Sequence, residues 1–150
     1  MKNLRQPFAT FALLLGLGTP LAFSAQVHEI DPTKVVGSQK CGECHKFETE
    51  AWKGTPHFAT FDSMHRSPAG QKIAGALGIK RIKGESLCLT CHYTVQSKSG
   101  AAEPISGVSC ESCPGPAADW VNIPNDKKLS TEERRTTSEA AGMIRHADRY

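Results

Sequence analysis

A mostly α-helical chain with extensive loops, whose interior is not built from side chains alone, is what this sequence predicts. Three observations carry that expectation. Short stretches of helix-forming composition alternate with loop-forming ones, and the 150 residues hold 13 glycines and 9 prolines. Beyond residue 25 there is no long apolar run, and Leu, Ile and Val are few. A chain of this size normally buries a sizeable apolar core, so another body is expected to fill the interior. Six cysteines fall in three C-x-x-C pairs, and histidine follows the first two pairs directly.

Taken in order, residues 1–25 read as a signal peptide. Lys2 and Arg5 precede the apolar run FATFALLLGLG, Pro20 breaks it, and cleavage fits after Ser24 or Ala25. The run is shorter than the ~20 apolar residues of a spanning helix, so no permanent membrane anchor is expected. Export to the periplasm follows, and all six cysteines lie in the exported part. The net charge of +3 comes from scattered residues, with no basic patch that would suit nucleic acid.

Residues 26–128 carry the chemistry. CGECH at 41–45 and CLTCH at 88–92 match the C-x-x-C-H attachment signature of c-type haem. Two thiols three residues apart reach the two vinyl groups of the porphyrin, and the next residue offers its imidazole to the iron. Cys41, Cys44, Cys88 and Cys91 are therefore the expected haem anchors, with His45 and His92 as proximal ligands. A Cys₄ zinc ribbon and a plain disulfide framework are the competing readings, and neither explains the repeated histidine. A thioredoxin-like redox site would need a βαβ pattern that is absent from the sequence. Attached haems would also supply the missing core.

Helix-forming composition continues from the first motif through KFETEAWKG. Pro56, which lacks an N–H, suits the start of a second helix over HFATFDSMH. His57 and His65 are eight apart, about 80° on a helix of 3.6 residues per turn. They are the favoured second iron ligands, ahead of His28 and His146. Met64 is a candidate sulfur ligand, with a packing role favoured. QKIAGALG suggests a short helix ending at Gly78. HYTVQ suggests a brief extended piece, and SKSGAAEPISG a loop by composition. The proline-rich GVSCESCPGPAADWVNIPND argues against long regular structure. Residues 129–150 are expected to form a charged C-terminal helix. Ser130 and Glu133 make its capping box, and Ala140, Met143 and Ile144 make a narrow apolar face.

The third pair, Cys110 and Cys113, is followed by Pro114, which cannot ligate iron. Two haems c are expected, with no ordinary third one at Cys110 and Cys113. The site is either degenerate, with its thiols free or disulfide-bonded, or holds a haem with an unusual ligand. A shortened paralogue and a one-base difference in the recorded sequence are the remaining explanations.

CGECHKFETEAWKGTPH resembles the opening of multihaem cytochromes of the cytochrome c-554 and hydroxylamine-oxidoreductase group. There an attachment motif is often followed by Glu, then Trp, then a histidine that ligates a different haem. The matching residues here are Glu48, Trp52 and His57. GVSCESCPGPAADW resembles a later segment that commonly reads C-E-S-C-H-G-P, and the likeness spans most of 37–125. The resemblance implies a multihaem cytochrome c fold in which covalent haems form much of the core, many of them bis-histidine ligated. The sequence departs from the group at Pro114 and at Pro124, near which a histidine would be sought, and in ending at Tyr150 without a further motif.

The expected function is periplasmic electron transfer in anaerobic respiration. The expected donor is a membrane quinol-oxidising cytochrome, and the expected acceptor a periplasmic reductase of nitrate or perchlorate type, by analogy. Two alternatives stand beside it. One is a haem enzyme acting on small nitrogen compounds at an open iron. The other is a truncated, non-conducting cytochrome with an assembly role.

Overall fold

The computed structural model describes residues 30–84 and 86–145. The signal-peptide reading of residues 1–25 lies outside them, as do His28 and His146.

Helix boundaries fall where side chains satisfy the orphan backbone groups of a first turn. Helices α1 (Ser38–Gly42) and α2 (Lys46–Lys53) flank the first motif. Helix α3 (Pro56–Ser63) starts on Pro56, and the Thr55 hydroxyl accepts from Phe58 N–H at 3.4 Å. A 3₁₀ turn (Met64–Arg66) leads into α4 (Pro68–Ala76), capped by Ser67, whose hydroxyl accepts from Gly70 N–H at 2.9 Å. The sequence suggested a later start at Gln71. The Ser67–Pro68 pair begins the helix three residues earlier, by the same cap-plus-proline logic that starts α3. Helix α5 (Ser86–His92) carries the second motif.

After α5 the chain forms an antiparallel hairpin, β1 (Thr94–Lys98) with β2 (Ala101–Ser106). The expected loop over SKSGAAEPISG is therefore corrected to a turn and a strand. Ser99 and Gly100 both take positive φ, 57° and 88°, which is the two-residue turn that matches strand twist. Pro104 is tolerated in a two-stranded ribbon, and the register shifts between Thr94 and Val95, opposite it. At the end of β2, Gly107 meets α3: a Cβ there would stand 2.2 Å from His57 O.

The third motif forms a 3₁₀ turn (Cys110–Ser112), and another such turn covers Ile123–Asn125. The charged helix α6 (Thr131–Ala140) has the expected capping box. Ser130 N–H donates to Glu133 Oε2 at 2.8 Å, and Glu133 N–H to Ser130 Oγ at 3.3 Å. Its expected apolar face is corrected, because the helix stops at Ala140 and Met143 and Ile144 follow it. Ile144 N–H instead donates to Pro114 O at 2.8 Å, tying this end of the chain to the third motif.

Buried apolar side chains are few. Among the described residues they are Val35, Ala74, Ile82, Tyr93 and Ala117. Ala74, Ile82 and Tyr93 form a small cluster, with Phe61, Met64, Ile79, Cys88 and Leu89 packed around it. The Lys83 ammonium sits 3.5 Å from the Phe61 ring centroid, a cation–π contact at the rim of this cluster.

Candidate haem sites

The first motif is a corner between two helices. Cys41 lies in α1, and the turn is closed by Cys44 N–H and His45 N–H, both donating to Cys41 O at 3.2 and 2.9 Å. His45 is the N-cap residue of α2, so its side chain projects from the corner and stays exposed. Glu48 Oε2 lies 3.9 Å from His45 Nδ1, too far for a hydrogen bond. The second motif lies on one short helix, with Cys88, Cys91 and His92 in α5.

The first and second motifs open onto separate clefts. The first, about 460 Å³, is lined by Cys41, Cys44 and His45 and also by Trp120, Val121 and Pro124. Cys110 and Pro114 of the third motif also line it. The second, about 410 Å³, takes Cys88 and His92 on one side and Met64, Ile73, Leu77 and Leu87 among its other walls. Both volumes fall in the range of cofactor pockets, about 300–1,000 Å³.

The residues present fit a haem at each of these two clefts. Ile73, Leu77 and Leu87 are 63%, 58% and 65% exposed, yet all three face the second cleft. Large apolar side chains gathered at one cleft mark a surface made to be covered. Thr49 Oγ1, in the wall of the first cleft, is buried with no protein partner. Among the described residues no group of three or more His, Cys, Asp and Glu side chains could hold a metal ion, so the zinc ribbon has no site there.

His57 and His65 line neither cleft. His57 is exposed on the first turn of α3. His65 is half-buried, and its Nδ1 is shut from solvent with no hydrogen-bond partner. The position that the sequence suggested only as a secondary choice, Met64, is the one that lies in a cleft wall.

The third motif is held more tightly than the other two. Glu111 is 1% exposed, and its carboxylate accepts three backbone N–H bonds. These come from Val36 at 2.9 Å, Gly37 at 2.7 Å and Ala117 at 2.9 Å. Thr94, two residues after His92, donates its hydroxyl to Gly107 O at 2.9 Å. It also lies 2.8 Å from Ser109 Oγ and 3.1 Å from Ser112 Oγ. Upstream, Trp52 Nε1–H donates to Val108 O at 2.9 Å. Sequence reading missed Glu111 and Thr94 as positioning residues. The available signal was faint: an acidic residue inside a cysteine pair, and a cluster of hydroxyl residues around it.

Cys41 and Cys110 come into side-chain contact across the first cleft. The hydrogen bond from Cys41 pulls the Cys110 thiol down to about 7. The same bond, with burial added, pushes Cys41 up. The thiols of the first and third motifs therefore share one environment, although 69 residues of sequence separate them.

Among the described residues no helix is long and apolar enough to cross a membrane. A model of the family described as cytochrome c554 and c-prime matches residues 40–115. Cytochrome c-554 of Nitrosomonas europaea is 31% identical over 96 residues, covering 56% of this chain and 39% of that protein. The chain thus spans well under half the length of that curated relative. No solved structure matches the chain.

Proposed function

The chain belongs to the cytochrome c554 and c-prime family, and on that basis we propose that it is a periplasmic multihaem electron carrier. Its donor is a membrane quinol-oxidising cytochrome, and its acceptor a periplasmic oxyanion reductase of nitrate or perchlorate type. Family membership implies covalently bound haem c. The observation that supports the reading most is the pairing of two complete attachment motifs with two separate, apolar-walled clefts.

The side chains divide the work. Cys41 with Cys44, and Cys88 with Cys91, form the thioether anchors. His45 and His92 offer the proximal nitrogens. Trp120 and Val121 in one cleft, and Ile73, Leu77 and Leu87 in the other, keep water from the bound group. Haem supplies a reversible one-electron couple, tuned by axial ligand, burial and hydrogen bonding.

The first test is the intact mass of the protein exported from a host able to mature c-type cytochromes. Two haems are expected, on Cys41/Cys44 and Cys88/Cys91. Rapid mixing of the reduced protein with a nitrate or perchlorate reductase and its substrate then tests the acceptor. Oxidation that follows reductase concentration supports the assignment, and no oxidation by either enzyme refutes it.

One observation favours a second reading. The first cleft is lined by no second histidine and no methionine among the described residues. Pro124 is among its lining residues, near where the family resemblance implies a histidine. An open iron there would suit redox chemistry on small nitrogen compounds. Carbon monoxide binding to the reduced protein at the first site would support that reading, and a fully six-coordinate spectrum would exclude it.

A further inference from the structure

The geometry points to Met64 as the second axial ligand of the iron held by His92. The inference rests on the haem reading of the second motif and adds a ligand set to it.

The argument begins with the donors available. Beside Cys88 and His92, Met64 is, among the described residues, the only one lining the second cleft with a soft side-chain donor. Cys88 is committed to attachment, which leaves the thioether. The histidines offer no replacement among the described residues: His45 faces the first cleft, and His57 and His65 line neither. Among the described residues the first cleft is lined by no methionine, so the two sites are chemically unlike.

Met64 is also held in place. Its N–H donates to Thr60 O at the end of α3. Its carbonyl accepts from Ser67 N–H at 3.1 Å and from the Ser67 hydroxyl at 2.9 Å. Gly70 approaches that carbonyl so closely that a Cβ there would stand 2.4 Å from it. Methionine is a flexible, gap-filling residue in most cores. Here both flanking peptide groups are fixed, and the side chain packs half-buried against the Ala74, Ile82 and Tyr93 cluster, on which Cys88 also packs. A ligand needs such support to hold its donor at a metal.

The thioether donates a lone pair and carries no proton. Replacing imidazole by thioether also raises the reduction potential, so this iron stands above the potential it would have with two imidazoles.

The test uses the full-length holoprotein. Peptide mapping by mass first reads whether haem is on Cys88 and Cys91. The ferric protein is then examined for the sulfur-to-iron charge-transfer band, and the ferrous protein by NMR for the ring-current-shifted methyl of a ligated methionine. Both signals are expected in the wild type. Met64→Leu, which conserves volume, should abolish both, lower the potential of one haem and open that haem to carbon monoxide. His65→Ala should change neither signal. A haem on Cys88 and Cys91 with no methionine signal overturns the inference and leaves the haem reading intact. So does a Met64→Leu protein with unchanged spectra, or loss of ligation on His65→Ala alone. No haem on Cys88 and Cys91 overturns both, and the mass reports that outcome separately.

Discussion

Replacing Glu111 by glutamine keeps the shape of the side chain and removes one of its two acceptors. In the native protein Oε1 takes the N–H groups of Val36 and Ala117, and Oε2 takes that of Gly37. The amide oxygen of glutamine can keep the first two, but its NH₂ group then faces the Gly37 N–H. One hydrogen bond to a charged acceptor is lost, at about 1.5–3 kcal/mol, and a buried donor is left unpaired, at about 1–3 kcal/mol. These overlap, so a net loss of about 2–4 kcal/mol is expected. Glu111→Ala strands all three donors, and about 3–6 kcal/mol is expected after water enters the space. With a urea slope of about 1.5 kcal/mol/M for a domain this size, Glu111→Gln should lower the midpoint by roughly 1.3–2.7 M. Urea unfolding of the holoprotein, followed by circular dichroism and by the Soret band, reads this directly. A midpoint within about 0.3 M of wild type, some 0.5 kcal/mol, would refute the carboxylate as a three-way tie.

Three further changes test other parts of the structure. Pro114→His supplies the missing imidazole while leaving the Pro114 O bond from Ile144 N–H available, and intact mass should rise by one haem. An unchanged mass would show that the histidine is not what limits attachment at Cys110 and Cys113. Gly107→Ala drives a methyl group into His57 O, and thermal melts should show a loss of about 3 kcal/mol, at the upper end for overpacking. Stability close to wild type would mean that β2 does not lie tightly on α3. Ser130→Ala removes the cap of α6 and should cost about 1 kcal/mol, read as a modest fall in melting temperature with unchanged haem spectra. A change in the spectra would place α6 nearer the haem clefts than the structure has it.

Local signals explain what the sequence made legible. The attachment motifs are pentapeptides. Pro56 and the Ser130–Glu133 pair start helices through contacts within four residues. The thin core, too, could be counted directly from the scarcity of Leu, Ile and Val. What escaped depends on contacts between distant segments. Ala101–Ser106 has poor strand-forming composition, and it pairs because Ser99 and Gly100 turn the chain back. Glu111 finds two of its three partners 75 and 74 residues upstream. Met64 and His65 are neighbours in sequence, and only the gathering of side chains from α3, α4 and α5 around the Ala74, Ile82 and Tyr93 cluster sets the methionine in the cleft wall.

The third motif acts on both of the others. Glu111 grips the entry to α1, just before Cys41. Thr94, just past His92, closes on Ser109 and Ser112. A segment whose own cysteines lack a proximal histidine thus works as a spacer, fixing how far apart the two complete motifs lie. Electron tunnelling falls off steeply with separation, so between haems held at those two motifs, as proposed, the spacer would set the rate of internal exchange. Substitutions at Glu111, Ser109 or Ser112 would then act like a change of gauge between two rails: each site would keep its own spectrum, while traffic between them slowed.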